Sequence, residues 1–324
     1  MKSKPSLWMP TASIEHLKTR AQLIAKIRNF FWQRDFLEVE TPLLSHATVT
    51  DLHLSSLTVQ SQLFPHPLYL QTSPEFAMKR LLAAGSGPIF QLCKSFRDEE
   101  KGRYHNTEFT MLEWYRPHFT HHDLMDEMEA FLSFILNCSK PIRLSYQAAF
   151  ERYLSINPHT VSIDRLIGIL KQHQLDTIAG IDYRDRTTLL QLLMTHEIET
   201  NLPIEMPVFI YDYPADQAAL AQLRDENGST VAERFEVYFK GLELANGFHE
   251  LTDAKEQQVR FEKDLHVRKE CGLPLVSMDT RLLDALEEGM PSCAGVAVGV
   301  DRLAMIMTGA SSIEEVISFP IDRA

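Results

Sequence analysis

The sequence is poor in cysteine and in long apolar runs. Its four cysteines form no C-x-x-C pair and have no zinc-finger spacing with histidine. This excludes a disulfide scaffold and favours reduced thiols in a cytoplasmic protein. No apolar run reaches the length of about 18 residues that a membrane-spanning helix needs, and the first twenty residues contain no apolar segment of a secretion signal. We therefore expect a cytoplasmic protein without a membrane partner.

Positive charge is also scarce. Lys and Arg sum to 32 against 44 Asp and Glu, which gives a formal charge of −12. A negative surface repels nucleic acid and anionic membranes, so bulk electrostatic binding to either is disfavoured. Hydrophobic residues make up 44% and charged residues 23% of the 324 residues, the balance of a globular protein with a full core.

Several common site motifs are missing. There is no G-x-x-x-x-G-K-[ST] and no G-x-G-x-x-G after a strand, which disfavours a P-loop site and a Rossmann dinucleotide site. H-E-x-x-H and G-x-S-x-G are absent as well, so the chain matches neither a zinc protease nor a nucleophile-elbow hydrolase.

Hydrophobic periodicity predicts helices and strands in mixed order. Ser13 is the predicted N-cap of the first helix, and a turn at Lys240-Gly241 joins two strands. Strands in hairpin order, with helices between and around them, indicate an α+β domain with a mostly antiparallel sheet. We expect helices near residues 13–34, 74–84, 120–136 and 253–271, strands near 36–42, 68–71, 89–96, 107–115, 236–239, 242–246 and 295–300, and a mostly helical region over 140–205.

Three clusters carry the candidate chemistry. The first is an F-R-x-E segment that starts at Phe96 and leads through a loop to Phe109. The second contains Glu236 and Glu243 on the two strands joined at the predicted turn. The third is a glycine-spaced strand that runs into Arg302.

In this order, the clusters resemble the catalytic domain of class II aminoacyl-tRNA synthetases. The first helix and the strand ending at Pro42 look like motif 1, the F-R-x-E segment like motif 2 and the glycine-spaced strand like motif 3. The segments Thr72-Ser73-Pro74-Glu75 and 243–254 look like the lysine-specific subgroup. The resemblance implies a six- or seven-stranded antiparallel sheet flanked by helices, and a homodimer formed through motif 1.

The resemblance covers nearly the whole chain. Lysyl-tRNA synthetases of this class carry an N-terminal anticodon-binding domain, whereas only about a dozen residues precede the motif 1 helix here. We therefore expect one catalytic domain over 1–324, with a short polar segment 1–14 and no anticodon-binding domain. Together with the negative charge, this argues against tRNA as a partner.

The chain is similar instead to stand-alone paralogues of the lysine subgroup. These activate (R)-β-lysine with ATP and transfer it to the ε-amine of a lysine of elongation factor P, so the resemblance implies an ATP-dependent ligase that forms an amide bond. Two alternatives stay open: a minimal lysyl-tRNA synthetase-like enzyme with another acceptor, and a non-catalytic regulatory paralogue that binds an amino acid.

The resemblance assigns the ATP site to motifs 2 and 3 and to the second cluster. Arginine stays charged and binds oxyanions with two nitrogens, which suits the meeting of a carboxylate with a phosphate. By resemblance, Arg97 bridges the α-phosphate and the substrate carboxylate, Arg302 holds the γ-phosphate, and Phe109 stacks on adenine with Arg302 on the other face. The full set implied for ATP is Arg97, Glu99, His105, Asn106, Phe109, Glu243, Leu244, Gly299 and Arg302.

Carboxylates supply the metal and substrate sites. Glu236 and Glu243 flank the turn, and by resemblance they hold Mg²⁺, which is usually bound by one or two carboxylates plus phosphates. Several acidic groups in one pocket imply a ligand with more than one positive charge, because a buried carboxylate without a cation is costly. The substrate residues implied by the resemblance are Ser73, Glu75, Glu113, Tyr115, Asn246, Glu250 and Ala297.

Ala297 departs from the family pattern, which has glycine at this position. A methyl group narrows the space near the α-amine of an α-amino acid, whereas a β-amino acid moves that amine by one carbon. We interpret Ala297 as a discriminator against α-lysine, worth about 1–3 kcal/mol.

Overall fold

The structure, a computed structural model, describes residues 7–98, 101–178 and 181–324. Its helices and strands in chain order are α1 Ile14–Trp32, β1 Leu37–Glu38, β2 Leu44–Ser45, β3 Thr58–Val59, β4 Leu68–Leu70, α2 Glu75–Ala83, β5 Ile89–Phe96, β6 Glu108–Pro117, α3 His121–Leu136, β7 Ile142–Ser145, α4 Tyr146–Leu154, α5 Ile163–Gln172, α6 Arg186–Leu193, β8 Val208–Pro214, β9 Leu223–Glu226, β10 Ser229–Phe239, β11 Leu242–His249, α7 Ala254–Glu270, α8 Thr280–Gly289, β12 Cys293–Gly299 and α9 Val300–Thr308.

The chain forms two compact units. The first unit comprises Met1–Thr120, Phe134–Leu136 and Leu251–Ala324, and the second comprises His121–Ser133 and Asn137–Glu250. Within the described residues, no helix is both long and apolar enough to cross a membrane.

The first unit is built on strands β1, β5, β6 and β12, paired in that order. The β5–β6 and β6–β12 pairs are antiparallel, and the short strand β1 runs parallel to β5. Strands β2, β4 and β3 form a small separate antiparallel sheet. The register places Gln91 opposite Glu113, and Glu113 opposite Ala297. Because residues directly opposite one another point to the same face, these three side chains form one row across the sheet.

Helix α1 packs its apolar stripe on the other elements of the first unit. Ser13 is its N-cap, as predicted, and accepts a hydrogen bond from the backbone N–H of His16. The buried residues of α1 recur at helical spacing, which is typical of a helix with one face in the core. The Phe31 ring stacks on Phe90 of β5 at 4.5 Å between centroids and lies 5.1 Å from Trp114 of β6.

A buried ion pair joins three elements of the first unit. Arg20 on α1 contacts Asp301 on α9 at 2.6 Å. Asp301 also accepts from the backbone N–H of Thr110 on β6 at 2.7 Å, and Arg20 donates to the Thr110 hydroxyl at 2.7 Å. This clamp fixes the beginning of α9, and therefore Arg302, relative to the strand that carries Phe109.

The second unit contains the strands β11, β10, β8 and β7 in that order, and β9 also pairs with β10. The β10–β11, β10–β8 and β10–β9 pairs are antiparallel, whereas β7 is parallel to β8. Helices α4, α5 and α6 supply much of its core, with Tyr146, Phe150 and Leu166 fully buried. Lys240 and Gly241 both have positive φ, 52° and 73°, as a tight hairpin turn requires, so the predicted turn is confirmed.

Three local predictions need correction. The region 140–205 is largely helical, but it begins with the strand β7, which the sequence pattern did not indicate. The helix expected from residue 74 begins at Glu75, with Pro74 as its N-cap. The strand expected over 36–42 shrinks to Leu37–Glu38, and its pairing is parallel.

Candidate functional site

Strands β5 and β6 place two predicted ATP residues side by side. Arg97 follows β5, and its backbone N–H donates to the carbonyl of Thr107 at 3.0 Å, which closes the intervening loop. The guanidinium carbon of Arg97 lies 5.2 Å from the centroid of the Phe109 ring, within the range of a cation–π contact. Both side chains are half-buried.

The loop between these strands meets the beginning of α9. Gly102 and His105 form an isolated β-bridge, and His105 Nε2 lies 2.8 Å from Arg302 Nη2. The predicted motif 2 and motif 3 residues are therefore brought together within the first unit. Glu99, also predicted for ATP, lies outside the described residues. Gly299 is the N-cap of α9, three residues before Arg302.

Asn106 has a structural role that the sequence did not indicate. It is buried, its amide nitrogen donates to the carbonyl of Glu108 at 2.7 Å, and its amide oxygen accepts from the backbone N–H of Ile321 at 3.1 Å. The loop is tied to the same C-terminal segment by Lys101, which contacts Asp322 at 2.6 Å. An ATP contact of Asn106 stays a prediction.

Glu113 is the centre of a buried acidic group in the first unit. Its side chain is almost fully buried. Ser73 donates to Oε2 at 2.8 Å, and Tyr115 donates to Oε1 at 2.6 Å. Burial and the nearby Glu75 carboxylate raise the pKa of Glu113 from 4.5 to about 7, against the opposing effect of these two hydrogen bonds. Such a group is poised to accept a cation.

Glu75 begins helix α2 and is already paired. Lys79, one turn later, is buried and contacts Glu75 at 2.7 Å. The backbone N–H of Glu75 donates to the Ser73 hydroxyl at 3.0 Å. Ser73 therefore links the Glu75 turn to Glu113, and the predicted substrate residues Ser73, Glu75, Glu113 and Tyr115 form one connected group.

Ala297 lies in the row next to Glu113. It is directly opposite Glu113 on the neighbouring strand β12 and is half-buried. A methyl group at this position therefore narrows the space beside the buried carboxylate. The role of Ala297 in substrate selection stays a prediction.

A cavity of about 220 Å³ adjoins this group. Ser73 and Glu75 line it on one side, the segment 42–49 lines another, and two arginines, Arg80 and Arg281, also contribute to its wall. Ser73 and Glu75 are the members of the acidic group that line this cavity.

In the second unit, Glu236 is held by three side chains. Tyr213 donates to its Oε2 at 2.6 Å, Tyr238 donates to the same oxygen, and Arg234 donates to Oε1. Burial, and then the charge of Glu236, raise the pKa values of both tyrosines well above their ordinary value, so both stay protonated donors. The carboxylate is thus fixed in position and partly neutralised by Arg234.

Glu243 lies on β11, and Glu236 lies on the neighbouring strand β10, as predicted. Because the register of this pair shifts, the two glutamates are not directly opposite each other. Glu243 pairs with Tyr238, and Glu236 pairs with Asn246. A third carboxylate is close: burial and the charges of Glu236 and Glu243 raise the pKa of Glu199 to about 7. Glu199 directly follows a π-helical turn, Met194–Ile198, and such turns are frequent at functional sites.

The remaining predicted residues of the second unit lie on or just after β11. Leu244 is buried, and Asn246 accepts from Arg234 Nε at 3.2 Å. Glu250 is buried, and its backbone carbonyl accepts from the Gln222 amide at 2.9 Å.

The sequence pattern did not reveal the residues that support these groups. Lys79 carries a signal that was available, since it lies one helical turn after Glu75. Arg234 and Tyr238 flank Glu236 at the two-residue spacing of a strand and share its face. Tyr213 reaches the group through the pairing of β8 with β10, and Glu199 reaches it from the helical turn Glu199–Asn201; the local pattern indicates neither contact.

Comparison with known proteins identifies the family of the chain. The sequence profile of the class II tRNA synthetases (D, K and N) matches residues 6–323. Proteins from Salmonella typhimurium, Salmonella enteritidis and Salmonella agona, each named elongation factor P–(R)-β-lysine ligase, are 53% identical to the chain over 326 aligned positions. The alignments cover 99% of this chain and the whole of each relative.

Proposed function

Because this chain belongs to the class II tRNA synthetase family (D, K and N), we propose that it activates (R)-β-lysine with ATP and transfers it to a lysine of elongation factor P. The observation that carries the proposal is the buried group around Glu113, in a chain that matches the Salmonella ligases over its whole length. A buried carboxylate with a raised pKa suits a substrate with an ammonium group.

The reaction has two steps. In the first, a carboxylate oxygen of the substrate attacks the α-phosphorus of ATP, the P–O bond to pyrophosphate breaks, and an aminoacyl-adenylate forms. In the second, the neutral ε-amine of the acceptor lysine attacks the acyl carbon, AMP leaves, the amine loses a proton, and an amide bond forms.

The arginines stabilise charge during the first step. Arg97 neutralises the approaching carboxylate and α-phosphate, and Arg302 holds the γ-phosphate of the leaving pyrophosphate. Phe109 stacks on adenine. His105, next to Arg302, Gly299 at the N-cap of α9 and Leu244 complete the nucleotide contacts. Loss of Arg97 should cost roughly 10²–10³ in rate.

In this proposal Glu236 and Glu243 would hold Mg²⁺. Carboxylate oxygens are ligands that Mg²⁺ prefers, and a third carboxylate, Glu199, is close enough that burial and the charges of Glu236 and Glu243 raise its pKa. A divalent cation would relieve the repulsion among these carboxylates, so the chemistry of the donor set fits the ion. When bound, Mg²⁺ would neutralise phosphate charge.

The substrate contacts divide by charge. Glu113 and Glu250 bind ammonium groups of the substrate, and the hydroxyl of Tyr115 assists them. Glu75 and Ser73 meet the other amine of the substrate, and Asn246 adds a polar contact. Ala297 selects the β-amino acid over its α-isomer.

A transfer assay tests the acceptor. Purified protein is incubated with ATP, (R)-β-lysine and elongation factor P, and the acceptor is analysed by intact mass and peptide mapping. We expect one lysyl group on one lysine side chain, and none when that lysine is replaced by arginine. Acylation of tRNA in a parallel reaction, with unmodified elongation factor P, would favour the minimal synthetase. ATP and amino-acid binding without turnover would favour the regulatory paralogue.

We further propose a homodimer formed through motif 1. Trp32 at the end of α1 and Leu37 on β1 are each more than half exposed, and large apolar side chains exposed near one another are typical of an interaction surface. Sedimentation of the wild type and of Trp32→Glu tests this: the wild type should sediment as a dimer and the variant as a monomer. A cytoplasmic location and an acceptor other than tRNA complete the proposal.

A further inference from the structure

Gln91 lies beside the acidic group but has no part in the proposed reaction. It is on β5, directly opposite Glu113 on β6, which is itself opposite Ala297 on β12. Directly opposed residues in antiparallel pairs point to the same face, with Cβ atoms about 4.5–5.5 Å apart. Gln91 and Ala297 therefore flank Glu113 on its two sides.

The Gln91 amide has an unused acceptor. Its side chain is 2% exposed, and within the described part of the chain its Oε1 atom accepts no hydrogen bond. The side chain hydrogen-bonds the Cys93 thiol, and burial raises the pKa of this thiol to about 12, so it stays neutral. A buried carbonyl oxygen without a donor is destabilising unless a ligand supplies one.

Glu113 alone offers fewer free acceptor positions than an ammonium group has donors. Each of its oxygens already accepts one hydrogen bond, from Ser73 and from Tyr115, which leaves about two of the roughly four acceptor positions of a carboxylate. An alkylammonium group has three N–H donors arranged around the nitrogen. A neutral amide oxygen beside the carboxylate offers a further acceptor and adds no charge to a group that already contains Glu75 and Glu113.

We infer that Gln91 is a substrate-binding and specificity-determining residue, whose Oε1 accepts a hydrogen bond from the terminal ammonium of the bound diamino acid. This inference rests on the proposed function and deepens it. In this inference the terminal ammonium is recognised by a charged acceptor, Glu113, and by a neutral acceptor, Gln91. A ligand with a methyl group in place of the terminal amine would leave both acceptors without a donor.

The test combines a protein change with a ligand change. Gln91→Met keeps the length of the side chain and removes the acceptor. The ligands are (R)-β-lysine and its analogue with methyl in place of the terminal amine. Binding is measured by calorimetry, and KM and kcat by ATP–pyrophosphate exchange. The control, Gln257→Met, alters another buried glutamine, located on α7, that also has an amide atom without a partner.

We expect Gln91→Met to weaken (R)-β-lysine binding and raise its KM roughly 10- to 100-fold, as for a lost hydrogen bond to a charged group. The KM for ATP should stay unchanged, and the analogue should bind both proteins equally. Gln257→Met should bind (R)-β-lysine like the wild type. If Gln91→Met does not fold, Gln91→Asn, which withdraws the oxygen by one methylene, should show a smaller loss of the same kind.

Two results would overturn the inference. One is (R)-β-lysine affinity within twofold of wild type in both Gln91 variants. The other is an equal loss for both ligands, which would indicate packing. Wild-type protein that binds (R)-β-lysine without pyrophosphate exchange would refute the proposed function alone, because calorimetry of the variants still decides the role of Gln91. Wild-type protein that does not bind it would overturn both.

Discussion

The raised pKa of Glu113 makes both stability and substrate binding depend on pH. The pKa is about 7 in the folded protein against 4.5 for the unconstrained group. Below pH 4.5, both folded and unfolded chains carry the proton. Between pH 4.5 and 7, the unfolded chain releases it more readily, so the folded state loses stability as the pH rises. The difference of about 2.5 between the folded and unfolded pKa values corresponds to a loss of about 3 kcal/mol in the free energy of unfolding.

The assay is urea unfolding of the wild type and Glu113→Gln at several pH values. The wild type should lose about 3 kcal/mol more than the variant between about pH 4.5 and pH 8. Comparison with the variant removes the contribution of Glu199, whose pKa is raised as well. Parallel pH dependences in the two proteins would show that Glu113 does not titrate in this range.

Substrate binding should show the opposite trend. An ammonium group binds the ionised carboxylate, so the affinity for (R)-β-lysine should rise as the pH increases from about 5.5 towards 7 and then level off. Calorimetry of Glu113→Gln should give weaker binding that varies little over this range. Equal affinities of the wild type at about pH 5.5 and pH 8 would exclude Glu113 as the group that binds the ammonium.

Three further substitutions probe substrate choice and the core of the first unit. Ala297→Gly should raise kcat/KM for α-lysine by roughly 5- to 100-fold in pyrophosphate exchange, and an unchanged preference would exclude Ala297 as the discriminator. Asp301→Asn removes the buried negative charge that pairs with the partly buried Arg20, so urea unfolding should show a loss of about 3 kcal/mol. Asp322→Asn, on an exposed pair with Lys101, should cost less than about 1 kcal/mol, and equal losses would contradict the clamp. Phe31→Ala should cost about 3–5 kcal/mol in the same assay, and a loss below about 1 kcal/mol would show that the aromatic cluster is not the core.

Local sequence signals predicted those elements that are defined by residues near in sequence. The apolar stripe and Ser13 cap of α1 were visible because a helix repeats its pattern within a few residues. The hairpin of β10 and β11 was visible because Lys240-Gly241 separates two alternating runs. The strand β7 was missed because four half-buried residues show little pattern, and because it pairs with β8 more than sixty residues later.

The candidate site shows the same limit. Motif resemblance supplied the residues expected to touch substrate and ATP, but register decides which of them are neighbours. Gln91 looked like an ordinary strand residue until its pairing with Glu113 was known. Asp301 looked like an acidic residue near a helix start, yet it is buried and bound to Arg20 and Thr110. Such long-range contacts carry no local signature in the sequence.

ATP–pyrophosphate exchange decides whether the protein activates (R)-β-lysine as an adenylate. Purified protein is assayed with labelled pyrophosphate, ATP and Mg²⁺, with (R)-β-lysine, α-lysine and other amino acids in parallel. We expect exchange that is strongest with (R)-β-lysine, weaker with α-lysine, and lost in Arg97→Ala. Strongest exchange with α-lysine, or no exchange with any amino acid from folded protein that binds ATP, would contradict activation of (R)-β-lysine by this chain.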